Sequence, residues 1–444
     1  MKVDLLIAEI GSTTTLVNAF DKIDSADPDF IGQGFAPTSV LEGDVTVGLY
    51  GAISDLEDKI GVDKIEWEEF MATSSAAGGL KMTVHGLVKD MTVKAAEEAA
   101  LGAGAVIKQV TAGNLRDSQL EELRQIQPNI ILLAGGVDYG EEEVILNNAE
   151  KLSSLDIDVP YIYAGNKVLQ NEVKDMFEKK GKHIIIAENV YPEIDTLNIE
   201  ETRNIIHDVF AEHIVRAPGM SKIRPMLSLD MMPTPGAVMK ASQLLKDAIG
   251  NLVTIDVGGA TTDVHSVTED SLNVRELLIS PEPEAKRTVE GDLGVYLNAP
   301  HVYNLLDDRI DLEKREDLAP VPRDKEEERY IFHLAKQAAL TAIERHSGKY
   351  RDLYGASGRT TVAEGKDLTA VEWIIGTGGA LTRLTNSEEI LESLKDFNKR
   401  ALLPPKSAKA LVDRNYIMAS TGLMSKKYPK AALALIKASL DFKN

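Results

Sequence analysis

Apolar and polar positions fall in one order twice along the chain. Leu5-Leu6-Ile7-Ala8-Glu9-Ile10 is an apolar run with a single acid one residue before its end. It passes through Gly11-Ser12-Thr13-Thr14 into Thr15-Leu16-Val17. The order returns at Leu252-Val253-Thr254-Ile255-Asp256-Val257, Gly258-Gly259-Ala260-Thr261 and Thr262-Asp263-Val264. A β-rich run on each side of a short Gly/Ser/Thr turn predicts a hairpin. Its recurrence predicts a duplicated lobe.

Between the hairpins, Ile130-Ile131-Leu132-Leu133-Ala134, Tyr161-Ile162-Tyr163-Ala164-Gly165 and Ile184-Ile185-Ile186-Ala187 are unbroken apolar runs with helical stretches between them. Buried parallel strands have that pattern, so an α/β insertion is expected near 115–215. The alanine-rich segment Lys94–Val110 predicts a helix by propensity. Another helix is expected after Pro233 and Pro235 to Leu245, with small residues Gly236, Ala237 and Ala241. Residues 307–330 are dense in both charges and predict a solvated helix–loop–helix connection. Residues 346–366 suggest a Gly/Ser/Thr-rich loop, and 416–442 a helical pattern broken near Pro429.

The 444 residues allow two to four domains, and 43% hydrophobic with 27% charged residues is ordinary globular composition. A formal charge of −21 repels phosphate backbones and anionic lipid, so neither nucleic acid nor a membrane surface is an expected partner. The absence of cysteine excludes disulfides, thiolate nucleophiles and Cys-ligated metal, and a reducing cytoplasm is the expected compartment. Glu9 and Asp4 interrupt the N-terminal apolar run, and no stretch reaches the roughly 18 apolar residues of a membrane helix.

An acid ahead of a Gly/Ser/Thr turn suits a site that holds a polyphosphate and its Mg²⁺. Backbone amides and hydroxyls take the phosphate oxygens, and the carboxylate holds the cation through its waters. Trp373-Ile374-Ile375-Gly376-Thr377-Gly378-Gly379-Ala380-Leu381-Thr382-Arg383 adds a buried strand running into a glycine turn and helix, where backbone can lie close against a planar base.

Taken in order, residues 5–17, 232–245, 252–264, 373–383 and 416–425 resemble the phosphate-one hairpin, connecting helix, phosphate-two hairpin, adenosine motif and second connecting helix of the actin, sugar-kinase and heat-shock ATPase superfamily. Asp256, Gly258, Gly259 and Asp263 stand at the Asp-x-Gly-Gly-x-x-x-Asp spacing of that superfamily's second hairpin. Val289-Glu290-Gly291-Asp292-Leu293-Gly294 stands where the chaperone ATPases carry a glycine segment near the nucleotide. Within the superfamily the chain resembles the glutamate mutase L family, through Leu41-Glu42-Gly43-Asp44-Val45, Ser74–Leu80, Leu132–Gly136 and Met232–Val238.

The resemblance implies an α/β, two-lobed actin-like (ribonuclease H-like) ATPase fold with duplicated lobes. The first lobe would hold 1–249 plus about 410–444, and the second 250–409. It implies ATP or ADP with Mg²⁺ bound between the lobes. Asp256 and Glu9 would be the catalytic and metal-holding acids. Nucleotide contacts would come from Gly11, Ser12, Thr13, Thr14, Gly258, Gly259, Ala260, Thr261, Thr262, Gly291, Asp292, Gly376, Gly378, Gly379, Ala380 and Arg383. The implied work is reactivation of a cobalamin-dependent aminomutase such as glutamate mutase, whose subunits would be the partners. A small-molecule kinase and a nucleotide-dependent filament protein are the alternatives on the same scaffold.

Two departures bear on hydrolysis. Glu9 replaces the usual Asp of the first hairpin, which moves its carboxylate by about one bond length and alters the water shell of the cation. Met232 falls where heat-shock ATPases place a Glu that orients water, and a thioether cannot accept that proton. Slow hydrolysis is expected, with Asp256, or Asp230 in a register shifted by two, positioning water. Gly135-Gly136-Val137-Asp138 reads as a strand–helix turn or a ligand loop, and Ser74–Leu80 as a helix entry or partner contact. The eight scattered histidines show no metal-ligand spacing.

Overall fold

Both acid-and-turn runs fold as the same pair of strands. The computed structural model describes all residues except 12–13, 40–42, 76–79, 215–219, 221, 308–312, 314, 316–317, 319–321, 356–357 and 443–444. In it β1 (Lys2–Ile10) lies antiparallel to β2 (Thr14–Asp21), with Ile10 opposite Thr15. There follow β3 (Asp29–Pro37), α1 (Val45–Ile60) and β4 (Glu66–Ser74), which runs parallel to β1. The Asp44 carboxylate caps α1 by accepting from the Thr46 N–H, and Gly61 ends it in the left-handed region at φ 73°.

An all-parallel sheet is spliced in after β4. It contains β5 (Leu80–Gly86), α2 (Lys94–Gly102), β6 (Ala105–Ala112), α3 (Asp117–Ile126), β7 (Ile130–Leu133), α4 (Glu143–Ser153), β8 (Tyr161–Tyr163), α5 (Gln170–Lys179) and β9 (Ile184–Ile186), with strand order β6-β5-β7-β8-β9. This is the expected α/β insertion, but its sheet begins at Leu80 rather than near 115. The expected Lys94–Val110 helix stops at Gly102. Gly104 turns the chain at φ 93° against Pro233 and Gly236, and the β-branched Val106, Ile107 and Val110 continue as strand. Ser74–Leu80 links two strands and is no helix entry; residues 76–79 lie outside the described residues.

The chain then returns through α6 (Glu200–Ile214) and β10 (Met232–Pro233), which pairs with β4, into α7 (Thr234–Ile249). Next come β11 (Leu252–Val257), β12 (Thr262–Val267), α8 (Leu272–Arg275), β13 (Ala285–Glu290), α9 (Ala299–Asn304) and α10 (Lys325–His346). The last elements are β14 (Lys349–Gly355), β15 (Gly358–Glu364), β16 (Trp373–Thr377), α11 (Gly378–Arg383), α12 (Ser387–Glu392), β17 (Lys409–Val412), α13 (Met418–Met424) and α14 (Pro429–Ser439).

The sheet order β13-β12-β11-β16-β17 repeats β3-β2-β1-β4-β10 position by position, with the same antiparallel hairpin and the same parallel central pair. This is the duplicated ribonuclease H-like fold of the actin-like class. Val253, Ile255 and Val257 face a core with α10, as Leu6, Ala8 and Ile10 face the first core, so Glu9 and Asp256 lie on the opposite face of their sheets.

The chain divides into two compact units, Met1–Asp21 with Ile31–Ala237, and Lys22–Phe30 with Val238–Asn444. The boundary thus falls inside α7. Residues 410–444 belong to the second unit, which corrects their expected place in the first lobe. Buried Asp413 explains it: its carboxylate accepts from Thr377 of β16, from the Ile417 and Met418 amides at the start of α13, and from Ser439 of α14. The expected loop at 346–366 is mostly the β14–β15 ribbon, held by cross-strand pairs Arg351–Glu364 and Arg359–Asp352.

Candidate functional site

In the second unit, four residues between β11 and β12 make the turn. The Gly258 N–H donates to the Thr261 carbonyl at 2.9 Å, closing it. The other turn carbonyls are taken from behind. Val295 N–H donates to Gly258, Tyr296 and Leu297 N–H to Gly259, and Asn298 Nδ2 to Ala260 at 2.8 Å. With the carbonyls turned back, the N–H groups of Gly259, Ala260 and Thr261 donate to no protein atom among the described residues. Three neighbouring amides without a protein acceptor can bind an anion.

Gly294 is required behind the turn, since a Cβ there would strike the Ala260 carbonyl group and the Gly259 oxygen. Asn298 also donates to the Gly291 carbonyl at 2.9 Å, and the Thr262 hydroxyl to Leu293 at 2.7 Å. The segment 291–298 therefore buttresses the 258–261 turn. Gly291 has open space at its Cβ position. Asp292 is engaged by Arg345, whose Nη1 and Nη2 lie 2.9 and 3.0 Å from its two oxygens, and by His301 at 3.2 Å. Its hydrogen bonds from Arg345 hold the Asp292 carboxyl below the ordinary range. A carboxylate so paired is a weak candidate for nucleotide contact.

Asp256 stands at the edge of this turn, paired in register with Thr377 of β16 and Asp263 of β12. Gly378 follows at φ 88°, and a Cβ on it would meet the Asp256 carboxylate and the Val257 backbone, so only glycine lets the acid stand there. Gly379 has nothing within 4 Å of its Cβ position. Gly376 is different. It lies on the apolar face, where a Cβ would meet Leu391 methyls at 3.0 and 3.3 Å, so its smallness serves packing. In α11 Ala380 is buried, and Arg383, the last residue, is exposed.

The first unit repeats the turn. Gly11 N–H donates to the Thr14 carbonyl at 2.9 Å, and the buried Thr15 hydroxyl reaches Thr38, as Thr262 anchors to Leu293. Ser12 and Thr13, the two residues expected to supply hydroxyls and amides, lie outside the described residues. Glu9 is 5% exposed and opposite Leu16.

Mg²⁺ fits this donor set. It keeps most of its waters and takes one or two carboxylates plus phosphate oxygens, so one acid beside an anion-binding turn suffices. Among the described residues no group of three His, Cys, Asp or Glu is arranged to hold a metal by itself. Met232 is buried in β10 beside Thr73, and Asp230 is exposed.

The profile of the MutL protein family matches residues 5–440. The chain belongs to the MutL protein family. It is similar to Protein MutL of Clostridium tetanomorphum, 36% identical over 459 residues that cover 98% of each chain. Among solved structures it is similar to a diol dehydratase-reactivating factor in nucleotide-free form, at TM-score 0.37 and 12% identity over 96% of this chain and 99% of that one. It is also similar to the ethanolamine utilization protein EutJ of Carboxydothermus hydrogenoformans, at TM-score 0.30 and 10% identity over 97% and 89%.

In this MutL-family chain the Gly135-Gly136 turn is packed shut. Gly135 lies against Leu87 and Gly165, and Asn166 and Asn189 satisfy the surrounding loop carbonyls and amides. Sequence reasoning missed Asn298 and Arg287, and named Gly294 only as part of the 289–294 segment. Arg287 could have been suspected as a cation inside an otherwise strand-like run. Asn298 carries no sequence signal. No described helix is long and apolar enough to cross a membrane.

Proposed function

We propose that this protein binds ATP with Mg²⁺ and hydrolyses it slowly as a chaperone-like reactivating factor for a cobalamin-dependent aminomutase such as glutamate mutase. The observation that carries the nucleotide reading is the turn at 258–261, with three amides without a protein acceptor beside Asp256. The amides would bind β- and γ-phosphate oxygens, and Mg²⁺ held through water by Asp256 would neutralise the charge that develops on them. The first turn, with Glu9, Gly11, Ser12, Thr13 and Thr14, carries the same pattern for phosphate, and Gly378, Gly379, Ala380 and Arg383 would meet the adenosine. Membership of the MutL family supports an accessory role in a glutamate mutase system. Reactivation is supported by the family resemblance.

Binding energy can do mechanical work on a partner only if nucleotide and mutase alter each other's affinity, and by the same factor. The test is to inactivate glutamate mutase by turnover or with cyanocobalamin, then add this protein, ATP, Mg²⁺ and fresh adenosylcobalamin. Recovery that needs ATP and disappears with Asp256→Ala is expected. Equal recovery with and without the protein would eliminate the reading.

A further inference from the structure

Behind the 258–261 turn lies a charge pair that the nucleotide reading does not use. Asp263 and Asp256 are directly opposite each other on β12 and β11, so their side chains share a face. Two like charges so placed repel each other. Arg287 of β13 resolves the conflict. It is 1% exposed, and its Nε donates to Asp263 Oδ1 at 2.8 Å while Nη2 donates to the same oxygen. The other oxygen, Oδ2, accepts from the Thr261 hydroxyl at 3.1 Å. The relay thus runs from a buried guanidinium, through a buried carboxylate, to the last residue of the anion-binding turn.

Resting on that nucleotide reading, we infer that Arg287 is a positioning residue for polyphosphate binding, acting through Asp263 on Thr261. Two consequences follow from the geometry. Pinning the Thr261 hydroxyl to Asp263 holds that residue with its N–H beside those of Gly259 and Ala260. Neutralising Asp263 removes a second negative charge from the face it shares with Asp256, so the site does not set two carboxylates against a polyanion.

The test uses the full chain and calorimetry with ATP·Mg²⁺ and with adenosine. Arg287→Met alone strands a buried carboxylate and risks the fold. The double variant Arg287→Met/Asp263→Leu replaces the pair by apolar side chains, a change that cores commonly tolerate. Its expected result is a melting temperature near that of the wild type, Kd for ATP·Mg²⁺ raised about tenfold or more, the equivalent of one lost hydrogen bond to a charged group, and Kd for adenosine within about twofold. Arg287→Lys, which keeps the charge and loses the fork, should fall between wild type and the double variant. Unchanged ATP affinity in the folded double variant overturns the assignment. So does an equal loss for ATP and adenosine, which marks a general structural role. A wild type that binds no ATP overturns the nucleotide reading itself.

Discussion

The two hairpins close their turns with the same bond, Gly11 to Thr14 and Gly258 to Thr261, and place an acid two residues before the glycine. What stands behind them differs. Asp263 and Arg287 back the second turn, whereas the residue facing Glu9, where Asp263 would be, is Leu16. A Cβ on Gly11 would sit 2.6 Å from the Thr14 oxygen, against 3.2 Å between a Cβ on Gly258 and the Thr261 oxygen. Duplicated topology needs only repeated apolar periodicity and a turn. Charge placement needs particular partners on a third strand, and Arg287 of β13 is one for Asp263.

If the second hairpin carries the metal chemistry, Asp256→Ala should lower ATP turnover by about 100-fold or more, the scale of losing an electrostatic catalytic group. Glu9→Asp, which shortens the acid of the first hairpin, should only shift the Mg²⁺ concentration for half-maximal rate, by about tenfold at most. Equal losses from the two changes would erase the distinction between the hairpins. Gly378→Ala presses on Asp256 and adopts an unfavourable φ, so it should destabilise by about 1–3 kcal/mol in thermal melts and lower turnover. Gly379→Val, with open space around it, should leave the melt unchanged while weakening adenosine binding in calorimetry. The glycines that close the turns should differ as well. Gly11→Ala should cost about 2 kcal/mol in denaturant titrations and Gly258→Ala under about 1 kcal/mol, because only the first meets a backbone oxygen head on.

The smallest effect is in pH. His265 and His346, in and beside the second sheet, are held well below their ordinary value of 6.5, chiefly by burial, and strands β1 to β4 contain no histidine. His265 has no hydrogen-bond partner on either ring nitrogen among the described residues. Folded, these imidazoles stay neutral; unfolded, they take up protons below about 6.5. Their contribution to stability is therefore complete above that pH and is lost as pH falls through and below it. Hydrogen exchange at pH 5 against pH 7 should show β11–β13 losing more protection than β1–β2. His85 of β5, driven to about 3 by burial, predicts that the inserted sheet behaves like the second sheet.

Both hairpins, the strand and glycine turn at 373–383 and the insertion were legible because each is a local pattern. An apolar run, an acid and a turn sit within fifteen residues. The β14–β15 ribbon was not legible, since Arg351, Asp352, Arg359 and Glu364 look like loop residues until they pair across strands. The lodging of the C-terminal helices in the second unit was equally hidden. It depends on Asp413, one acid whose role appears only when Thr377 and Ser439 reach it from 36 and 26 residues away. Arg287 was obscured for the same reason: pairing across a sheet leaves no mark on nearest neighbours in sequence.

The insertion between β4 and β10 also governs the order of assembly. Thr234 reaches Thr73 across 161 residues, so the first sheet cannot be completed until the chain has returned through the whole inserted sheet. Closing a loop of that length as coil, rather than one of about twenty residues, costs roughly 2 kcal/mol more in chain entropy. The inserted sheet is built from short strand–helix–strand steps that form locally, so it can collapse first and shorten the effective loop. Nascent chains halted after residue 200 should therefore already protect β5–β9 from protease, while β4 gains its last neighbour only after residue 233 has emerged.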